Sequence, residues 1–167
     1  MASAEKLAGG IDRFIDLVGR ATSWLALGLA LVMGSNVLLR YGFSIGSIWM
    51  QEFEWHIMVP ICVFGMSYAL RHGEHVRVDV LFQYFSPRDK QRVEVITAIC
   101  AMLLSLIVIW LCIPYVWQSW SIGENTANPG GIDYRYIVKS LIPIGFALFF
   151  MQSLSEAIKS YLALRRA

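Results

Sequence analysis

Four stretches of this chain, residues 21–39, 57–70, 95–117 and 140–155, contain no Asp, Glu, Lys, Arg or His. Charge is scarce overall: 16% of the 167 residues are charged against 57% hydrophobic, a composition far from that of a water-soluble domain. An ionisable group at mid-membrane marks an ion or proton path, so a chain without one is not expected to couple transport to charge by itself. The net charge of +2, with basic residues scattered between apolar runs, offers nucleic acid no electrostatic stripe. The three cysteines, Cys62, Cys100 and Cys112, lie inside apolar runs, where a thiol behaves as a small hydrophobe. They form neither a disulfide framework nor a zinc spacing. A bis-histidine haem needs two histidines facing each other within the spans, and only His56 is even at a span's edge. The first apolar run also lacks a small-residue cleavage site after a short core, so an uncleaved first helix is expected.

What is present is apolar length. A helix needs about 20 mostly apolar residues to cross about 30 Å of hydrocarbon, and the segments 21–39, 49–70, 93–117 and 137–155 qualify. They predict an all-α integral membrane protein, a single membrane domain over residues 1–167 with four transmembrane helices. Trp49, Phe53 and Trp55 open the second span with residues that settle at headgroup level. Leu7, Ile11, Phe14, Ile15 and Val18 fall at helical spacing, predicting an N-terminal amphipathic helix over 1–20 that lies in the membrane surface; the alternative is a charged lead-in to the first span. Ser86-Pro87 predicts an N-cap with Pro at the first helical position, making the third helix longer than a bilayer requires. Pro60, Pro114 and Pro143 predict local bends. Eleven of the 14 lysines and arginines fall in the N-terminal stretch, the 71–92 loop and the tail, leaving Arg40, Arg135 and Lys139 on the other side. The positive-inside rule then places both termini in the cytoplasm.

Ala26, Ala30 and Gly34 recur every fourth position on the first span and allow close approach of another helix, within this chain's own bundle or in a partner. Glu52 and His56 share a helix face near the outer surface, with Glu54 directed elsewhere. Two such ligands do not make a metal site; the alternatives are a hydrated or paired interfacial cluster and a docking contact. His75, Arg77 and Asp79 belong to a solvated cytoplasmic turn, where Arg71 and Arg77 could instead meet lipid headgroups. The larger outer loop carries a turn signal at Pro129-Gly130-Gly131. Lys139, just inside the fourth span, is placed to snorkel towards the interface.

In their order, these residues resemble the small membrane subunit of tripartite ATP-independent periplasmic (TRAP) transporters, the DctQ-like Q subunit. The resemblance rests on Leu39-Arg40-Tyr41-Gly42-Phe43, then Trp49 and Gln51-Glu52-Phe53-Glu54-Trp55-His56, then the loop Arg71-His72-Gly73-Glu74-His75-Val76-Arg77-Val78-Asp79. Glu124, Asn128-Pro129-Gly130-Gly131, Tyr134-Arg135-Tyr136, Lys139, Pro143, Gln152 and Glu156 follow in the same order. The outer loop is most similar to the mannitol or chloroaromatic branch. Many members carry a second acid where this chain has Gln51, and an arginine where it has Trp55.

The resemblance implies a scaffold subunit in the bacterial inner membrane, packed on a large many-span subunit that holds the substrate and sodium sites, with a periplasmic substrate-binding protein delivering the solute. Ala26, Ala30, Gly34, Trp49, Glu52, Glu54 and His56 become partner-interface candidates. Glu124, Pro129, Gly130, Gly131, Arg135 and Lys139 become candidates for the side facing the binding protein. No catalytic, substrate-binding or metal residue and no cofactor is expected on this chain; membrane lipids are expected partners and nucleic acid is not. The rival readings are a membrane anchor of a redox complex and a self-contained small exporter, which would need an embedded carboxylate.

Overall fold

The computed structural model describes residues 2–74 and 85–166. They form four helices: α1 (Ala2–Phe43), α2 (Ile48–His72), α3 (Pro87–Ser121) and α4 (Arg135–Arg166). Each is long and apolar enough to cross a membrane, as the four apolar runs predict.

The local sequence sets the boundaries. Ser47 caps α2, its hydroxyl accepting from the Met50 N–H at 3.3 Å. At the far end Gly73 takes φ 73° and the Glu74 N–H returns to the Ala69 carbonyl, a left-handed C-terminal cap that glycine adopts without steric cost. Ser86 caps α3 by accepting from the Asp89 N–H, with Pro87 in the first turn, as the sequence predicts. Pro60, Pro114 and Pro143 lie within α2, α3 and α4, all of which continue through them.

One expectation is corrected. The amphipathic stretch 1–20 is not a separate helix in the membrane surface: from Ala2 it is continuous with the first span in a single 42-residue helix, about 63 Å long. Nothing at residues 19–22 breaks it, and part of its apolar face is covered by protein, while Leu7 and Phe14 stay exposed. Ala8, Ile11 and Ile15 are buried, with Ile11 and Ile15 packed alongside Leu148, Phe64, Met151 and Leu154. At α3, 35 residues long, the excess over a bilayer's requirement is as predicted.

The central helix is α4, which packs against α1, α2 and α3, while α1 and α2 pair as a hairpin. Close approach occurs where a side chain is missing. A Cβ on Gly145 of α4 would lie 2.5 Å from Val63 Cβ of α2, and one on Gly19 of α1 would lie 2.0 Å from the Tyr68 ring of α2. The interior is more polar than the exterior: among the described residues eleven polar side chains are buried against five apolar ones, while Trp24, Leu31, Leu38 and Trp110 are exposed. That inversion suits a lipid solvent, in which small and hydroxyl side chains line helix contacts and large apolar ones face outward. Ser105 and Ser153 satisfy their hydroxyls on the Ala101 and Phe149 carbonyls of their own helices.

Candidate functional site

Polar side chains gather at the two ends of the bundle. At the end carrying the α1–α2 and α3–α4 connections, Glu52 of α2 is 1% exposed. Its carboxylate accepts from Thr126 Oγ1 at 2.5 Å, Asn128 Nδ2 at 2.8 Å and the Ile132 N–H at 2.7 Å, with Arg135 at 3.9 Å. One acid therefore organises the whole α3–α4 loop. Gly131 makes this possible, because a Cβ there would come within 2.5 Å of Glu52 Oε2. Gly130 supplies the turn with φ 80°. His56 donates from Nδ1 to the Glu52 carbonyl at 2.7 Å, leaving Nε2 buried.

Beside this loop Lys139 of α4 pairs with Glu124, its ammonium 4.3 Å from the centre of the Tyr115 ring. The sequence predicts snorkelling for Lys139; the structure gives it a partner. The Lys139 hydrogen bond holds the Glu124 carboxyl below its ordinary range. The Arg135 N–H donates to the Glu124 carbonyl at 3.1 Å, joining the start of α4 to the same loop.

At the opposite end, Asp12 of α1 accepts from Ser155 Oγ at 2.7 Å, Gln152 Nε2 at 3.2 Å and Lys159 Nζ at 3.3 Å, all on α4, and pairs with Arg71 Nη1 of α2 at 2.7 Å. Arg71 also grips Asp16 through Nε and Nη2, both at 3.0 Å, the paired geometry a guanidinium favours. Glu156 accepts from Gln152 and Lys159, and Ser160 donates to Glu94 of α3. These bonds tie all four helices together.

Of the interface candidates, Ala26 and Ala30 are exposed and nothing lies within 4 Å of a Cβ added at Gly34. The stripe is therefore not used within this chain's own bundle. Trp49 is half-exposed and stacked on Phe53 at 5.1 Å. Glu52 is turned inward onto its own loop, its carboxylate committed to internal donors, whereas Glu54 accepts from Asn36 of α1 at 2.8 Å. Gly131 and Arg135 lie beside Glu52, Glu124 and Lys139 pair with each other on the same loop and the start of α4, and Pro129 and Gly130 are exposed on that loop. His75, Arg77 and Asp79 lie outside the described residues. The Asp12, Asp16 and Arg71 junction is the feature that sequence reasoning missed. Its signal was an acid pair on the apolar-periodic N-terminal stretch, read as the outward polar face of a surface helix. Among the described residues no cluster of three or more His, Cys, Asp or Glu could hold a metal.

Fold and polar ends together define a multi-pass helical membrane protein whose ionisable groups bind its own helices and loops together. Residues 29–162 match the family described as tripartite ATP-independent periplasmic transporters, DctQ component. The chain belongs to that family, a transporter component. It is 23% identical over 157 residues to the ectoine TRAP transporter small permease protein TeaB of Halomonas elongata, covering 92% of this chain and 79% of the relative. It is also 27% identical over 123 residues to a Haemophilus influenzae protein named as a TRAP transporter small permease, covering 74% of this chain and 72% of that one.

Proposed function

We propose that this small permease subunit is the scaffold of a sodium-driven importer of organic acids in the bacterial inner membrane. It packs on a large many-span subunit that carries the substrate and sodium sites, and its outer loop helps dock a periplasmic substrate-binding protein. The observation that carries the reading is the family match across α1 to α4 in a chain whose large apolar side chains point outward and whose buried acids, Glu52 and Asp12, are spent on internal bonds. The charge asymmetry supports an orientation with both termini in the cytoplasm. The name of the Halomonas relative points to ectoine; for this chain, the likeness of its outer loop to the mannitol or chloroaromatic branch favours organic acids. The chain itself holds no cofactor, and sodium is used by the large partner.

The test is uptake in reconstituted vesicles containing the complex. Glu52→Ala is expected to lower uptake in proportion to the yield of assembled complex, with the dependence on sodium concentration unchanged. Normal yield with an altered sodium dependence would contradict a scaffold role.

A further inference from the structure

The half of α1 nearest the N-terminus has two faces, and only one of them is covered. Ala8, Ile11 and Ile15 are buried against the bundle, whereas Leu7, Phe14 and Leu17 are 55%, 45% and 67% exposed. Beside these three runs a row of cations, Lys6, Arg13 and Arg20, one every seventh residue. All three are exposed, and among the described residues none has an ion-pair or hydrogen-bond partner for its side chain. Depth in the membrane decides what covers this face. Arg71 and His72, at the end of α2, pair with Asp16, so the charge-free part of α2, residues 57–70, ends close to the level of that acid. Leu7 stands nine residues further out, about 13 Å along the helix axis. Even at a tilt of about 40°, the upper end of the usual range, that is about 10 Å beyond the hydrocarbon. The headgroup layer is only about 5–8 Å deep on each side, so a lipid surface does not reach Lys6 and Leu7.

We propose that this face binds an acidic amphipathic helix of the large membrane subunit, outside the hydrocarbon. Its apolar edge covers Leu7, Phe14 and Leu17, and its carboxylates meet Lys6, Arg13 and Arg20. The inference rests on the scaffold reading above and names one contact through which that scaffold is held. Charge complementarity selects the occupant. A second copy of this chain is disfavoured, because a two-fold pair about this face sets one row of cations against the same row. A helix is favoured over an extended segment by the period: a seven-residue repeat keeps the row in step with a helix lying alongside at a crossing angle of about 20°. An exposed apolar patch rimmed by charge, on a part of the chain that water would otherwise bathe, is the usual mark of a protein contact.

The experiment is co-purification from native membranes in mild detergent through a tag on this chain, comparing wild type with a variant that carries Lys6→Glu, Arg13→Glu and Arg20→Glu together. The expected result is about tenfold less of the large subunit per copy of the variant, the combined effect of three surface pairs turned repulsive. Because the three cations are exposed and unpaired, the variant should keep the wild-type melting temperature. Phe14→Ser, at another exposed position, should weaken retention too, and wild-type retention should fall as ionic strength rises. A cross-link from Leu7→Cys should end on a peptide of the large subunit with acids three, four or seven residues apart. A charge-reversed chain that keeps the large subunit as wild type does would overturn the proposal and leave the scaffold reading intact. So would a cross-link to a second copy of this chain or to a phospholipid. A wild-type chain that brings down no many-span partner would instead overturn the scaffold reading, and this inference with it.

Discussion

Glu52 and Asp12 are both buried acids, and each does at one end of the bundle what no apolar residue could do there. Glu52 offers two oxygens to three donors of the 122–134 connection, which has no helix of its own. Glu52→Ala would strand the Thr126 hydroxyl, the Asn128 amide and the Ile132 N–H without an acceptor, which is costly when the groups are shielded from water. Faster hydrogen exchange over residues 126–132 and a melting temperature lower by several degrees are expected; unchanged protection of that segment would show that other contacts hold the loop. At the other end Asp12→Ala would leave Arg71 without one of its two carboxylate partners and Ser155 with only the Ala8 carbonyl, at 3.3 Å, as acceptor. A loss of about 1–3 kcal/mol is expected, read as a shift in thermal unfolding in detergent. A third residue-level expectation concerns pH. Because the Lys139 hydrogen bond holds Glu124 below its ordinary range, the pair's contribution is complete at neutral pH. It is lost as pH falls through the depressed folded value, when Glu124 protonates. Glu124→Gln should flatten the acid side of the stability profile, and an acid limb identical to wild type would place that sensitivity elsewhere.

At the scale of elements, the sequence made four helices legible because runs without charge and about 20 residues long have few other solutions in a membrane. Ser86 and Pro87 announced the start of α3 by local chemistry alone. The N-terminal stretch was misread for a physical reason: the same amphipathic periodicity describes a helix facing headgroups and one facing other helices. Distinguishing them required Ser155, Gln152 and Lys159, about 140 residues away in sequence. The Glu52 loop was half legible, since Pro129-Gly130-Gly131 marked a turn but not the acid it folds around. Gly145 carries an element-scale prediction. It lets α4 approach the Val63 backbone of α2, where a Cβ would already meet the carbonyl oxygen at 3.0 Å. Gly145→Leu should therefore separate α2 from α4, costing about 1–3 kcal/mol. A variant as stable as wild type would mean that the two helices can slide apart freely.

On the scale of the whole molecule, the bundle leaves Ala26, Ala30 and much of the apolar surface of α1 and α3 uncovered. Lipid covers such a surface, and so does another membrane protein; close approach at small residues favours helices. Orientation is testable by itself: a cysteine at Asn125 should be labelled by an impermeant reagent from outside intact cells, and one at Asp89 should not. The central claim, that this chain is one subunit of a transporter and works by assembly, is tested most directly by affinity purification of the tagged chain from its native membranes in mild detergent, with mass spectrometry of what accompanies it. The account predicts a large, many-span membrane protein in near-equal amount. Recovery of this chain alone, stable and homogeneous, would contradict it.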